Sequence, residues 1–201
     1  MFLSRMALDL TQRETYPFLH SKKYAKDQIA SLFSTGLHNV LWRIDEMDGR
    51  LWLVILSQLR PDYETLHSKI GFQGVFPSWD IIDYSEVTEN LSLSNIYHFQ
   101  TCVCPMEPVQ QQTSFSQNVV QVYDWFNHQS MIAGFHVLQY HTILSHWHIM
   151  EEGYVLFSKV DGLLQITSID TFEHTLLYGL GNFKAYGAGL LTISQNRNIW
   201  T

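Results

Sequence analysis

The sequence predicts an α+β chain made of two tandem ferredoxin-like (RRM-like) domains, residues 1–90 and 91–201. Three observations carry that prediction. The first ninety residues read strand–helix–strand–strand–helix–strand, which is the ferredoxin-like order, and the remainder repeats it more loosely. The 201 residues are 46% hydrophobic and 14% aromatic, enough for a sizeable core split over two small domains. Only 15% are charged, which excludes a disordered chain.

The elements follow in order. Phe2 to Leu10 alternates as a strand does, with Leu3, Met6 and Leu8 as inward candidates. Thr11 to Pro17 reads as a polar connection. From Lys22 or Lys23 to Phe33 the period becomes helical, with Ala25, Ile29, Leu32 and Phe33 on one face and Gly36 as the terminator. Val40 to Ile44 and Leu51 to Ser57 are strands joined by the Glu46–Gly49 turn. Tyr63 to Lys69 is a short helix, and Val75 to Ile82 is irregular before a return strand. A boundary falls near residues 88–94. In the second half, Ile96 to Val103 is a strand, Gln117 to His128 a helix, and Phe135 to Tyr140, His146 to Met150 and Val155 to Ile166 are strands. A helix over Ile169 to Tyr178 then leads through a glycine-rich loop to a closing strand at Leu190 to Ser194.

That loop, Gly179-Leu180-Gly181-Asn182-Phe183-Lys184-Ala185-Tyr186-Gly187-Ala188-Gly189, surrounds one cation with four glycines. Glycine permits positive φ and close backbone approach, and successive N–H groups can shape an anion-sized concavity beside the Lys184 charge. A tight helix-to-strand connection would use the same residues, so both readings stand on the pattern alone.

The pattern G-x-G-x-x-K-A-x-G-x-G-L-L resembles the C-terminal signature of the CRISPR repeat-processing endoribonucleases of type I-E Cascade complexes. Met1-Phe2-Leu3-Ser4-Arg5 is similar to that family's opening, and Leu41-Trp42-Arg43-Ile44-Asp45 to its L-W-R-[LI]-D strand. The resemblance implies two ferredoxin-like domains side by side. It also implies metal-independent and cofactor-free cleavage of repeat RNA at a hairpin base by 2′-hydroxyl attack. The implied partners are the repeat RNA, the 3′ hairpin of the guide and other Cascade subunits.

The family usually places a histidine seven residues before a phenylalanine of its first helix. Phe33 matches that phenylalanine, and Lys26 stands where the histidine is expected. Lys26 is therefore the first catalytic candidate, as a stabiliser of the phosphorane or as an acid or base of lowered pKa. Tyr24 and His20 are the others, and Lys22 and Lys23 complete a basic cluster; a solvated helix face is the plain alternative for these lysines. Gly179, Gly181, Lys184, Gly187 and Gly189 are the RNA-binding candidates of the loop. Where the family has a basic F-R-L-R-x-N-P strand, Phe99 to Pro105 keeps the aromatic and the proline but neither arginine, and Asn182 replaces a loop arginine found in some members.

Charge narrows the site further. The net charge is −7, and after Lys69 no lysine or arginine occurs until Lys159, followed only by Lys184 and Arg197. An RNA site must use the N-terminal cations and these few late ones. Cys102 and Cys104, two apart on a strand, read as reduced thiols. With no apolar run near the ~20 residues of a membrane span and no secretory signal pattern, the expected compartment is the cytoplasm, without membrane contact.

His136, His141, His146 and His148 invite a zinc reading, but without cysteine or acidic companions at ligand spacing beyond Glu151 and Glu152 they read as surface histidines. Tyr97, Phe99, Trp147 and Tyr154 are aromatic enough to stack on bases, although strand aromatics are usually core. The expected function is a CRISPR RNA-processing subunit. The alternative is a catalytically inactive subunit that holds the guide or a neighbouring protein, and a third reading is an unrelated metal-binding protein.

Overall fold

The structure is a computed structural model that describes residues 1–34, 39–74, 78–112 and 114–195. The chain divides into two compact units. The first is Met1–Glu89 with Ala185–Gly187, and the second is Asn90–Lys184 with the chain from Ala188 onward.

In the first unit, β1 (Phe2–Ala7) is followed by α1 (Thr15–His20) and α2 (Lys22–Ala30). Then come β2 (Leu41–Met47), β3 (Arg50–Ser57), α3 (Glu64–Ile70), β4 (Trp79–Asp83) and α4 (Ser85–Glu89). The sheet order is β2-β3-β1-β4 with β3 and β4 antiparallel to β1, so the strands joined through α1 and α2 are separated by a third. This is a ferredoxin-like domain. Asp48 and Gly49, at φ 53° and 69°, close the β2–β3 hairpin with the left-handed pair that matches strand twist.

Met6, Leu8, Trp42, Leu53 and Ile55 meet Phe18, Ala25 and Ile29 of the helices in one core. Leu3 is buried too, but on the opposite face, in register with Leu56. On that face Arg43 Nε lies 2.9 Å from both carboxylate oxygens of Asp45, and the two residues are only 3% and 1% exposed. Thus the Trp42-Arg43-Ile44-Asp45 alternation feeds a core on one side and a buried ion pair on the other.

Two expectations change here. The segment read as a connection ending in Pro17 contains α1, because a proline in the first turn sacrifices no intrahelical N–H bond. The helix expected to run to Phe33 stops at Ala30, and Leu32 and Phe33 are buried in the turns beyond it. Gly36, expected to end it, lies outside the described residues, as do Arg197 and Val75 to Pro77.

The second unit runs β5 (Ile96–Val103), α5 (Phe115–Ile132), β6 (Phe135–Met150), β7 (Gly153–Ile166), α6 (Ile169–Tyr178) and β8 (Thr192–Ser194). Its order, β6-β7-β5-β8, repeats the first. Phe99 stacks on Phe126 at 5.5 Å, Phe126 packs on Phe135 at 6.0 Å, and Phe135 meets Phe172 at 5.6 Å, tying the sheet to both helices.

The strands expected at Phe135 to Tyr140 and His146 to Met150 are one 16-residue strand, β6. Bulges between Val137 and Gln139 and between Thr142 and Leu144 absorb the phase breaks that split them in the sequence. They also bring His136, His141, His146 and His148 to one face, opposite Gln165, Asp161, Phe157 and Val155. Among the described residues no three His, Cys, Asp or Glu side chains gather to hold a metal ion, and no helix is long and apolar enough to cross a membrane. Cys102 is half-buried and Cys104 buried.

Candidate nucleic-acid interface

The glycine loop begins where α6 ends, at Gly179, whose φ of 75° turns the chain out of the helix. Its two ends are zipped together: Leu180 N–H donates to Gly189 O at 2.9 Å, and Gly189 N–H donates to Cys102 O of β5 at 2.7 Å. Positive φ recurs at Gly181, Phe183, Gly187 and Gly189. Space is equally restrictive. A Cβ on Gly189 would lie 2.5 Å from Leu180 O, and one on Gly181 would lie 2.6 Å from the Trp125 ring. The N–H groups of Gly179, Leu180, Ala188 and Gly189 donate to the carbonyls of Thr175, Gly189, Phe183 and Cys102. Those four groups serve the loop's own closure, so the conformational demand accounts for these glycines more directly than an anion cradle does.

Lys184 opens a single 3-10 turn, Lys184–Tyr186. Its stem passes over Gly189, where an added Cβ would meet Lys184 Cγ at 3.2 Å. The side chain is half-buried, and burial lowers its ammonium below the usual lysine range. Near it Asn182 Nδ2 donates to Glu107 Oε1 at 3.1 Å, so the residue at the family's arginine position engages a carboxylate.

The first unit gathers a second set of residues. Trp42 Nε1 donates to Ala185 O at 3.1 Å, and a Cβ on Gly187 would lie 2.9 Å from the Trp42 ring. Lys26 Nζ stands 5.0 Å from the Tyr186 ring centroid and Lys22 Nζ 5.4 Å from that of Trp42. Both distances fall within the range of cation–π attraction. Helical spacing explains the pairing, since Lys22 and Lys26 are four apart on α2 and share a face. Lys26, Lys22 and Gly187 are thus brought together with Trp42 and Tyr186.

Tyr24, Lys23 and His20 lie elsewhere. The Tyr24 hydroxyl donates to Glu14 Oε2; that bond first, then burial and the Glu14 charge, raises its pKa. Tyr24 is therefore held as a proton donor rather than poised as a base. Lys23 is exposed on α2. His20 ends α1, stacked on Tyr16 at 4.1 Å, with Nδ1 2.9 Å from Tyr16 O. A carbonyl only accepts, so Nδ1 is the donor of this bond.

Among the aromatic candidates, Tyr97 and Phe99 are core, whereas Trp147 and Tyr154 are half-buried. Sequence reasoning passed over Trp42 and Tyr186 as site residues although both stand inside the quoted motifs. Their signal was the pairing of an exposed-type residue, lysine, with aromatics far away in the chain, which no local pattern carries.

Fold and loop together define a tandem ferredoxin-like protein in which the α2 lysines of the first unit stand over the aromatic residues Trp42 and Tyr186. The chain belongs to the CRISPR associated protein family, whose profile matches residues 1–195. No curated protein sequence matches it. Among solved structures it is similar to Thermus thermophilus Cse3 bound to an RNA representing a pre-cleavage complex. That match has 18% identity and a TM-score of 0.75, and covers 96% of this chain and 98% of that one. The CRISPR-associated protein Cas6e from Escherichia coli str. K-12 matches at 12% identity and a TM-score of 0.63, over 96% and 99%. A chain of a CRISPR RNA-guided surveillance complex, pre-nicking, matches at 18% identity and 0.63, over the same shares. At these identities the likeness shows the fold, two tandem ferredoxin-like domains.

Proposed function

We propose that the protein is a CRISPR RNA-processing subunit of a type I-E-like Cascade. It binds the repeat hairpin, cleaves at the hairpin base without a metal, and stays on the 3′ end of the guide. The observation that carries this reading is Lys26 Nζ held over Tyr186 of the glycine loop, 5.0 Å from the ring. It is supported by the family and by the likeness to RNA-bound Cse3.

In this mechanism the ribose 2′-oxygen attacks the adjacent phosphorus and the bond to the 5′-oxygen breaks, leaving a 2′,3′-cyclic phosphate. Water takes the 2′-hydroxyl proton and protonates the leaving 5′-oxygen, and Lys26 stabilises the extra negative charge on the phosphorane. Tyr24 positions α2 through Glu14, and Lys22, Lys23 and Lys184 neutralise RNA phosphates.

A second reading, a guide-holding subunit without activity, is favoured by the Tyr24–Glu14 bond, which occupies a hydroxyl otherwise available for chemistry. One experiment separates them: repeat-hairpin RNA is incubated with the protein in EDTA, and binding and cleavage are scored on the same sample. Cleavage with a cyclic phosphate end, slowed about 10²–10³-fold by Lys26→Ala with binding retained, is the expected result. Tight binding without a cut selects the guide-holding reading. Neither binding nor cutting overturns both.

A further inference from the structure

In the second unit, lysine and arginine are rare. Among its described residues only Lys159 and Lys184 occur, against seven acidic side chains over residues 90–195. Both approach one position of β5, Lys159 by strand register and Lys184 through the glycine loop. Lys159 of β7 pairs directly with Cys102 of β5, and side chains opposite one another in an antiparallel pair point to the same face, ~5 Å apart at Cβ. Phe99, Thr101 and Val103 are buried on the other face, where Phe99 stacks on Phe126 of α5. Lys159 and Cys102 therefore lie on the helix-free face, both half-buried.

Cys102 is also where the glycine loop is tied down. Its carbonyl accepts Gly189 N–H at 2.7 Å, and the Lys184 stem lies over Gly189. The nearby carboxylate, Asp161, is two residues along β7, opposite Gln100, with His141 Nδ1 3.7 Å from its Oδ1. A unit with a net negative balance that sets both lysines of its described residues at one backbone junction has concentrated what a polyanion needs.

We propose that Lys159 is a further RNA-phosphate contact, acting with Lys184 on either side of Cys102. The inference rests on the RNA-binding reading above. Lysine on a neighbouring strand thereby supplies charge at a β5 position that has no cation of its own.

The test measures repeat-hairpin RNA affinity between 50 and ~300 mM salt for the full chain and four variants. Lys159→Met keeps the aliphatic stem, and its melting temperature is checked against the parent. It is expected to weaken binding about tenfold and flatten the log–log salt slope by about 1. Adding Cys102→Lys to that variant returns the charge from the opposite strand and restores slope and affinity, which no purely structural role of Lys159 would do. Lys69→Ala, an exposed first-unit lysine bonded to Gln28, leaves both unchanged. Lys184→Met flattens the slope similarly. RNA binding with a slope unaltered by Lys159→Met overturns this inference alone. A parent chain that binds no repeat RNA overturns the RNA-binding reading, and this inference with it.

Discussion

Burial lowers the Lys184 ammonium below the ordinary lysine value of 10.5. Between its folded pKa and 10.5 the unfolded chain binds more protons, so stability rises with pH across that window and the charge is a burden at neutral pH. Lys184→Met is therefore expected to raise the melting temperature while weakening RNA binding. The stability gap between variant and parent closes as the pH approaches 10.5, which thermal melts at pH 7 and 10 would check. At Tyr24 the shift runs the other way, since donation to Glu14 favours the protonated phenol. Tyr24→Phe is expected to lose about 1 kcal/mol of stability in urea melts. Its cleavage rate should stay within roughly threefold of the parent. A loss near 10² would instead make the phenol a catalytic group.

At the scale of elements, the β6–β7 ladder depends on one small residue. A Cβ at Gly162 would sit 2.0 Å from Gln139 O and 2.7 Å from Tyr140 Cα, beside the first bulge. Gly162→Ala is expected to destabilise the second unit by roughly 2–3 kcal/mol, read as a shifted denaturation midpoint with an unchanged m-value. The bulges also mark what the sequence conceals. Alternation from Phe135 to Tyr140 and again from His146 was readable, but the strand between was not, because a bulge resets the phase of two without any residue type announcing it. The β5 strand and the α6 helix were readable to the residue, Ile96–Val103 and Ile169–Tyr178, since each has one buried face and firm turn residues beyond it. The candidate site was half legible. Lys26, Lys22 and the glycine loop stood out by motif, whereas Tyr186 under Lys26 and Lys159 across from Cys102 depend on register and contacts over long separations.

For the whole molecule, a net charge of −7 with few late cations limits how strongly phosphates contribute to binding. If Lys22, Lys23, Lys26, Lys159 and Lys184 are the phosphate contacts, the salt slope for hairpin RNA is expected to be about −4 and no steeper. A slope near −8, measured by titration at several salt concentrations, would mean that other cations take part. The first unit carries a further consequence, in the order in which the protein can be finished. Ala185–Gly187 belongs to that unit, and the Trp42 indole is satisfied by a carbonyl 143 residues downstream. On a ribosome adding ~5–20 residues per second, Trp42 waits roughly 7–30 seconds for that partner. Although its strands and helices are encoded early, the N-terminal unit is completed only after residues 90–184 of the second unit have been made. A chain released before residue 185 would carry an unfinished first unit as well as a shortened second one.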